Sequence, residues 1–393
     1  MKYAIICVGY NRPDSMKALL DSVSRAEYGS YYVDLIVSID RGKRHKEVAE
    51  VAQDAEWNHG KKIIHEQPER IGLKKHILLC GDYSASYDAI VVLEDDLIVS
   101  PHFFEYVVQT VAKYDNDTRI SGISLYKHLF HPGARRLFEP DNNGFDVYLM
   151  QFAQSWGQCW TNRMWRDFRD WYDANEEISF TDKKCIPENI RAWDDHSWLK
   201  YYMLYNVINN KYYIYPYVSL TSNTSSSGQH NAGNNNDYQV PLLHGSLKYR
   251  LPEFNEAVSY DVFFERMNIG SKVFPELPGV KLLDLYGVRT DYDNADYLIS
   301  TRALPYRIVN SVALCQRPIE QNLFSPKQGE GIRIYDLHTA DRIIKMDSTL
   351  LTRFEVRGII WRRLMKLAVT EIVQSKSAEL SRYLGKLKIK ASK

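Results

Sequence analysis

The stretch Ala89-Ile90-Val91-Val92-Leu93-Glu94-Asp95-Asp96 joins a β-branched apolar run to three consecutive acids. The run has the length and composition of a buried strand. Three carboxylates cannot share those surroundings, because a buried charge is costly unless it is paired or bound to a metal. They are therefore expected where the strand emerges. In open α/β sheets ligands bind beyond the carboxyl ends of the strands. Clustered oxygens without thiolates suit a hard divalent cation, Mg²⁺ or Mn²⁺, and hence a nucleotide phosphate. A solvated acid cluster at a strand-to-loop junction is the bland alternative.

The chain on the amino side of this strand has the matching pattern. Tyr3 to Val8 is a short apolar run, and Gly9-Tyr10-Asn11-Arg12-Pro13-Asp14 then opens a helix on which Met16, Leu19, Leu20 and Val23 recur at helical spacing. Val33 to Ile39 gives a second strand, closed by Asp40-Arg41-Gly42. Asp40 is placed either to accept hydrogen bonds from a base or ribose, or simply to make a surface turn. Lys61 to His65 reads as a third strand and Gly72 to Tyr83 as a helix with Leu73, Ile77 and Leu78 inward. Lys74, Lys75 and His76 lie in its first turn, where cations oppose the dipole unless an anion joins them or they form a solvated face. Beyond the acids, Ser100-Pro101 is expected to cap a helix carrying Phe103, Phe104, Val107, Val108 and Val111, followed by a strand from Arg119 to Leu125. Strands alternating with helices at these lengths predict an α/β protein with a mostly parallel, doubly wound sheet.

The second half is richer in rings. Trp156, Trp160, Trp165 and Trp171 fall between Gln151 and Tyr172, at least half of them expected in a core, with Ser155-Trp156-Gly157 as a loop with an exposed ring. Arg191-Ala192-Trp193-Asp194-Asp195-His196 opens a helix, so Asp194 and Asp195 either cap it or supply a general base. The Ser, Thr, Asn and Gly run from Ser219 to Tyr238 is either a lid or a plain surface loop. The tail beyond Arg353 is basic. Trp361, Met365, Ala368 and Ile372 recur there at helical spacing among Arg362, Arg363 and Lys366, which makes an interfacial helix at an anionic membrane physically feasible.

Composition excludes several classes. A net charge of +1 over 393 residues gives no global attraction to nucleic acid. Five widely spaced cysteines, Cys7, Cys80, Cys159, Cys185 and Cys315, with no C-x-x-C pair, argue against a zinc site or disulfide framework and for a reducing compartment. The 28 tyrosines and 8 tryptophans supply rings able to stack on sugars or bases. No apolar stretch is long enough to span a bilayer and no leader precedes Tyr3. The expectation is a cytoplasmic protein, with a peripheral contact at the inner face of the membrane left open.

Val92-Leu93-Glu94-Asp95-Asp96-Leu97 through Pro101-His102-Phe103-Phe104-Glu105-Tyr106 closely resembles the Glu-Asp-Asp segment of the N-acetylglucosaminyltransferase I family, inverting GT-A glycosyltransferases that use UDP-N-acetylglucosamine and Mn²⁺. Three further segments match in the same order: Val37-Ser38-Ile39-Asp40, Trp193-Asp194-Asp195 and Ser226-Ser227-Gly228-Gln229-His230, the last resembling a substrate-covering loop. The resemblance covers roughly residues 1 to 250 and points to a bacterial-type relative. It implies Asp96 as the metal ligand, Glu94 and Asp95 at the sugar and ribose, Asp40 and Arg12 at the uridine end, His76 near the diphosphate, and Asp194 as catalytic base. Two departures stand out: His196 replaces the second Trp after the acid pair, and Ser155-Trp156-Gly157 differs from the family's Pro-Gly loop.

The expected organisation is a GT-A domain over 1–250, with a nucleotide-sugar half to about 125 and an acceptor half over 126–250. A mixed extension over 251–337 and a basic helical region over 338–393 follow, together a C-terminal α-rich extension. The expected chemistry is transfer of a sugar from a UDP-sugar to a glycan or lipid-linked glycan hydroxyl, in surface polysaccharide synthesis, with Mn²⁺ or Mg²⁺. A sugar-nucleotidyltransferase would need a Gly-rich phosphate loop after the first strand, which Gly9-Tyr10-Asn11-Arg12-Pro13 is not. A non-catalytic glycan-binding protein would not need Asp194.

Overall fold

The computed structural model describes residues 1–224, 237–269, 272–356, 360, 362–370 and 372–373. Ser226 to His230, Trp361 and the lysines from Lys376 onward lie outside the described residues.

The first half alternates β1 (Tyr3–Gly9), α1 (Pro13–Ser24), β2 (Val33–Ile39), α2 (His45–Asp54), β3 (Lys62–Glu66), α3 (Leu73–Asp82) and β4 (Ala89–Glu94). Every residue of β1 and β2 is buried, as a strand covered on both faces requires. β1 runs parallel to both β2 and β4, pairing Tyr3 with Val33 and with Ala89, so these three strands end level on one edge. α1 starts at Pro13, where the missing N–H has no helical partner to lose, and buries Met16, Leu19, Leu20 and Val23 as their spacing predicts. In α3 the expected inward face shifts. His76, Ile77, Leu78, Cys80 and Gly81 are buried, whereas Leu73 is 41% exposed. Leu73 heads the first turn, before the helix reaches the sheet.

After β4 the chain turns through Asp95 and Asp96 into β5 (Leu97–Val99), then α4 (Phe103–Tyr114) and β6 (Ile120–Ser124). Ser100 is not the N-cap of α4. That position is His102, and the Ser100 hydroxyl instead donates to the Leu243 carbonyl and accepts the His102 amide at 3.3 Å. A short hairpin of β7 (Phe130–His131) and β8 (Arg136–Leu137) leads to β9 (Val147–Met150), β10 (Gln158–Thr161), α5 (Asn162–Asn175), α6 (Glu188–Arg191), α7 (Trp198–Ile208), β11 (Tyr212–Pro216), β12 (Thr221–Asn223) and β13 (Ser259–Tyr260). The central sheet has the order β13-β9-β11-β6-β10-β4-β1-β2-β3 and is mostly parallel, with β10 running antiparallel to both β4 and β6. Trp160 and Trp165 are fully buried with their ring centroids 4.6 Å apart, which fills the space between β10 and α5. Trp156 is only half-buried and packs on Tyr126 and Tyr238, so the expected exposed ring is partly covered.

A four-stranded sheet follows, built from β14 (Lys281–Asp284), β15 (Tyr297–Ser300), β16 (Tyr306–Ala313) and β17 (Gly331–Ala340) in the order β14-β15-β17-β16, with a one-turn α8 (Gln321–Phe324) between the last two. The chain divides into two compact units, Met1–Met346 and Asp347–Lys393. The second holds α9 (Ser348–Glu355) and a helical stretch over 362–370 on which Met365, Leu367 and Val369 are exposed. Among the described residues no helix is long and apolar enough to cross a membrane.

Glu320 gives the first unit a pH signature. It is 3% exposed and accepts the Tyr260 hydroxyl at 2.6 Å. Burial, against the help of that hydrogen bond, pushes its carboxyl from the ordinary 4.5 up to about 7. Between those values the folded chain holds a proton that the unfolded chain has lost, so stability falls as pH rises through the interval. Relative to Glu320→Gln, the native protein should lose up to about 3 kcal/mol between pH 4.5 and 7, at ~1.4 kcal/mol per pKa unit. Thermal denaturation at a series of pH values tests this. Parallel curves for the two proteins reject it.

Candidate active site

The candidate site is assembled along the edge where β4, β1 and β2 end. Each strand contributes a charged element at or shortly after its last residue: the acids of 94–96 at the end of β4, Arg12 after β1 and Asp40 after β2. The Arg12 guanidinium forms an ion pair with Asp95 and donates to Asp96 Oδ2 at 3.4 Å. It reaches them because α1 begins at the next residue, which fixes Arg12 at the mouth of the strand.

Arg12 does not satisfy the cluster. Asp95 Oδ2 and Asp96 Oδ1 are buried and have no hydrogen-bond partner among the described residues. Burial, reinforced by Asp96 and Asp95, pushes the Glu94 carboxyl up. Burial also raises Asp95, to about 6, against the pull of Arg12. Such stranded oxygens are a standing cost that a cation would relieve. Among the described residues no group of three or more His, Cys, Asp or Glu converges as a complete metal site. The donor set therefore fits a cation held by one or two carboxylates, with its other positions left for phosphate oxygens and water, as Mg²⁺ and Mn²⁺ accept.

Asp96 is fixed by its backbone as well. Its carbonyl accepts the Thr224 amide at 2.7 Å and the Thr224 hydroxyl at 3.0 Å, immediately after β12 pairs antiparallel with β5. Thr221 to Asn223, expected to begin a loose polar loop, are thus a buried strand. Gly157, at φ +94°, passes so close that a Cβ there would meet Thr221 Cγ2 at 2.7 Å, which explains a glycine at that turn. Thr224 therefore stands beside the acids, and farther along the chain the Tyr238 ring lies 4.5 Å from that of Trp156.

Asp40 is 4% exposed, and its two oxygens accept the amides of Arg41, Ile71 and Gly72 at 2.8 to 3.0 Å. It ties the end of β2 to the start of α3, where Gly72, at φ +80°, is the N-cap. His76 Nε2 lies 2.8 Å from the Ser38 hydroxyl and the ring is 2% exposed, so burial drives its pKa down to about 4. Both residues stand at this edge as parts of its framework, with Asp40's oxygens already engaged.

Asp194 and Asp195 lie in the turn between α6 and α7. The helix starts later than the sequence suggested, because Ser197 is the N-cap of α7 and its hydroxyl accepts the Lys200 amide at 3.4 Å. Neither acid therefore spends its carboxylate on capping. Asp194 is exposed, with Oδ1 accepting the His196 amide at 2.9 Å. Asp195 Oδ1 accepts from Lys200 Nζ at 2.9 Å, and this bond is the largest influence lowering its pKa. Lys74, from the first turn of α3, adds to that lowering and stands 5.3 Å from the Tyr201 ring. That contact brings the acid turn to the same end of α3 that Asp40 anchors. Lys200 is a residue of this site that sequence reasoning missed.

Residues 2–184 match the family model described as "glycosyltransferase like family 2". The matched region is 183 of the 393 residues, a little under half of the chain. No curated protein matches this chain. Among solved structures it is similar to residues 1–349 of TarS from S. aureus, with 11% identity and a TM-score of 0.39 over 57% of this chain and 61% of that one. It is also similar to the same fragment in complex with UDP-GlcNAc, at 13% identity and a TM-score of 0.37 over 59% and 61%. Mouse xyloside xylosyltransferase 1 gives 13% identity and a TM-score of 0.36 over 53% and 83%. The chain thus spans 61% of the TarS fragment's length. The family match covers β1 to β4 and the acids at their end, but stops at residue 184, short of Asp194.

Proposed function

We propose that the protein is an inverting, metal-dependent glycosyltransferase that moves a sugar, N-acetylglucosamine as best candidate, from a UDP-sugar to a hydroxyl of a glycan acceptor, in keeping with the family match over residues 2–184. The observation that carries this reading is the pair of buried, unpartnered oxygens on Asp95 and Asp96 at the carboxyl edge of a parallel sheet. Asp96 would hold a divalent cation, with Asp95 beside it, and the cation would neutralise charge developing on the diphosphate. Arg12, already aimed at these carboxylates, and the first turn of α3 would receive the nucleotide end.

Asp194 takes the proton from the acceptor hydroxyl as that oxygen bonds to the anomeric carbon. The bond from that carbon to UDP breaks on the opposite face, and its electron pair leaves on the β-phosphate oxygen. Asp194 suits this role because it is exposed and reachable, while its neighbour is engaged by Lys200. The acceptor hydroxyl must approach across the turn that carries it.

The test is a panel of nucleotide-sugars scored for Mn²⁺-dependent hydrolysis, since slow transfer to water needs no acceptor. UDP-N-acetylglucosamine should be consumed with metal and spared with chelator. Release of inorganic pyrophosphate from UTP and a sugar phosphate would instead indicate a nucleotidyltransferase. Glycan binding with no donor turned over would indicate a non-catalytic protein.

A further inference from the structure

Lys200 is 2% exposed, although lysine is almost never buried without a partner. Its Nζ donates to the Trp193 carbonyl at 3.1 Å and to Asp195 Oδ1 at 2.9 Å. The rings of Phe180 and Tyr201 stand 4.7 and 5.8 Å from it. The ammonium thus grips the residue before Asp194 and the residue after it.

This arrangement is a poor way to gain stability. The side chain of Asp195 is 94% exposed, and ion pairs with so solvated a partner contribute about 0 to 1 kcal/mol. Taking an ammonium out of water costs more than that, and an apolar side chain of the same length would fill the site at lower cost. What the lysine adds is geometry. With Trp193 and Asp195 tied to one nitrogen, and with the Asp194 carbonyl and carboxylate accepting the amides of Ser197 at 3.2 Å and His196 at 2.9 Å, the backbone on both sides of Asp194 is fixed.

We infer that Lys200 is a positioning residue for the catalytic base, clamping the 193–195 turn so that the Asp194 carboxylate is held where it can take the acceptor's proton. The inference rests on Asp194 being that base. By bonding one oxygen of Asp195 and lowering its pKa, Lys200 also biases the choice between two adjacent acids toward Asp194, a choice the sequence leaves open. Its hold on the Trp193 carbonyl sets where Asp194 points, and a displacement of about 1 Å at a reacting group can cost 10²-fold in rate.

The test is a kinetic cycle on the full chain. Lys200→Met keeps the apolar stem and removes both donated bonds. It should lower kcat for donor hydrolysis about 10- to 100-fold, with the KM for the UDP-sugar and calorimetric UDP affinity unchanged. Lys200→Arg, which can still donate to both oxygens, should recover most of the loss. In an Asp194→Asn background Lys200→Met should cost nothing further, because its only route to the chemistry is through Asp194. Asp195→Ala, at an exposed position that folding tolerates, should give a smaller loss of the same kind. A full further loss in the Asp194→Asn background, or a change in donor KM in place of kcat, overturns the inference. Should Lys200→Met fail to fold, unchanged kcat in both Lys200→Arg and Asp195→Ala overturns it as well. If Asp194→Asn alone retains turnover, it is the base assignment that fails, and the two failures are thereby told apart.

Discussion

Asp194→Asn is expected to lower turnover by about 10²–10⁴-fold, the usual contribution of a positioned general base, with donor affinity near normal. The substitution is nearly isosteric, and the carboxamide oxygen can still accept the His196 amide now held at 2.9 Å, so the turn keeps its shape. What disappears is the capacity to take a proton. The neighbouring acid is a poorer substitute, because Asp195 is bonded to Lys200 at 2.9 Å and its pKa is lowered mainly by that bond, which makes it a weaker base. Turnover of UDP-sugar, measured with UDP affinity by calorimetry on the same preparation, checks this. A severe loss in Asp195→Asn with a mild one in Asp194→Asn contradicts the assignment.

The parallel strands and the acids at their end could be read from the chain because each signal there is local. A β-branched run that stops at Glu94-Asp95-Asp96 marks where the strand ends, and Pro13 stands at the first position of α1. What escaped reading depends on contacts distant in sequence. Thr221 to Asn223 look like loop by composition, but β5 supplies their hydrogen-bond partners from more than a hundred residues away. His76 looks like a diphosphate contact in the first turn of a helix, yet Ser38 on the neighbouring strand receives it in the interior. Lys200 carries no sequence signal at all, since only the fold brings Trp193, Asp195, Phe180 and Tyr201 around it. The four-stranded sheet over Lys281–Ala340 was missed for another reason. Its strands are separated by irregular, turn-rich segments, and β16 alternates weakly, with most of its residues only partly covered.

Asp96→Asn should weaken UDP binding in Mn²⁺ while leaving the weaker binding without metal unchanged. Asp96 is the acid whose carboxylate reaches the site with the fewest commitments. Oδ1 is buried and unpartnered, and Oδ2 takes a long 3.4 Å contact from Arg12. Asp95, by contrast, is the main partner of that guanidinium. An amide at position 96 removes one charge and replaces one of two candidate ligand oxygens with a donor group that repels a cation. Because a metal at a diphosphate supplies several kcal/mol of charge stabilisation, its loss should lower turnover about 10²-fold or more, at 1.36 kcal/mol per tenfold. Mn²⁺ binding without nucleotide, followed by electron paramagnetic resonance, gives a readout independent of activity and should weaken in parallel. The Asp96 carbonyl still accepts the Thr224 amide in the variant, so the β5–β12 pairing and the fold should persist. Unchanged Mn²⁺ and UDP affinities in a folded Asp96→Asn protein would remove the metal from the proposed mechanism. Among the described residues, Arg12 would then be the positive charge paired with these acids that remains to meet a diphosphate.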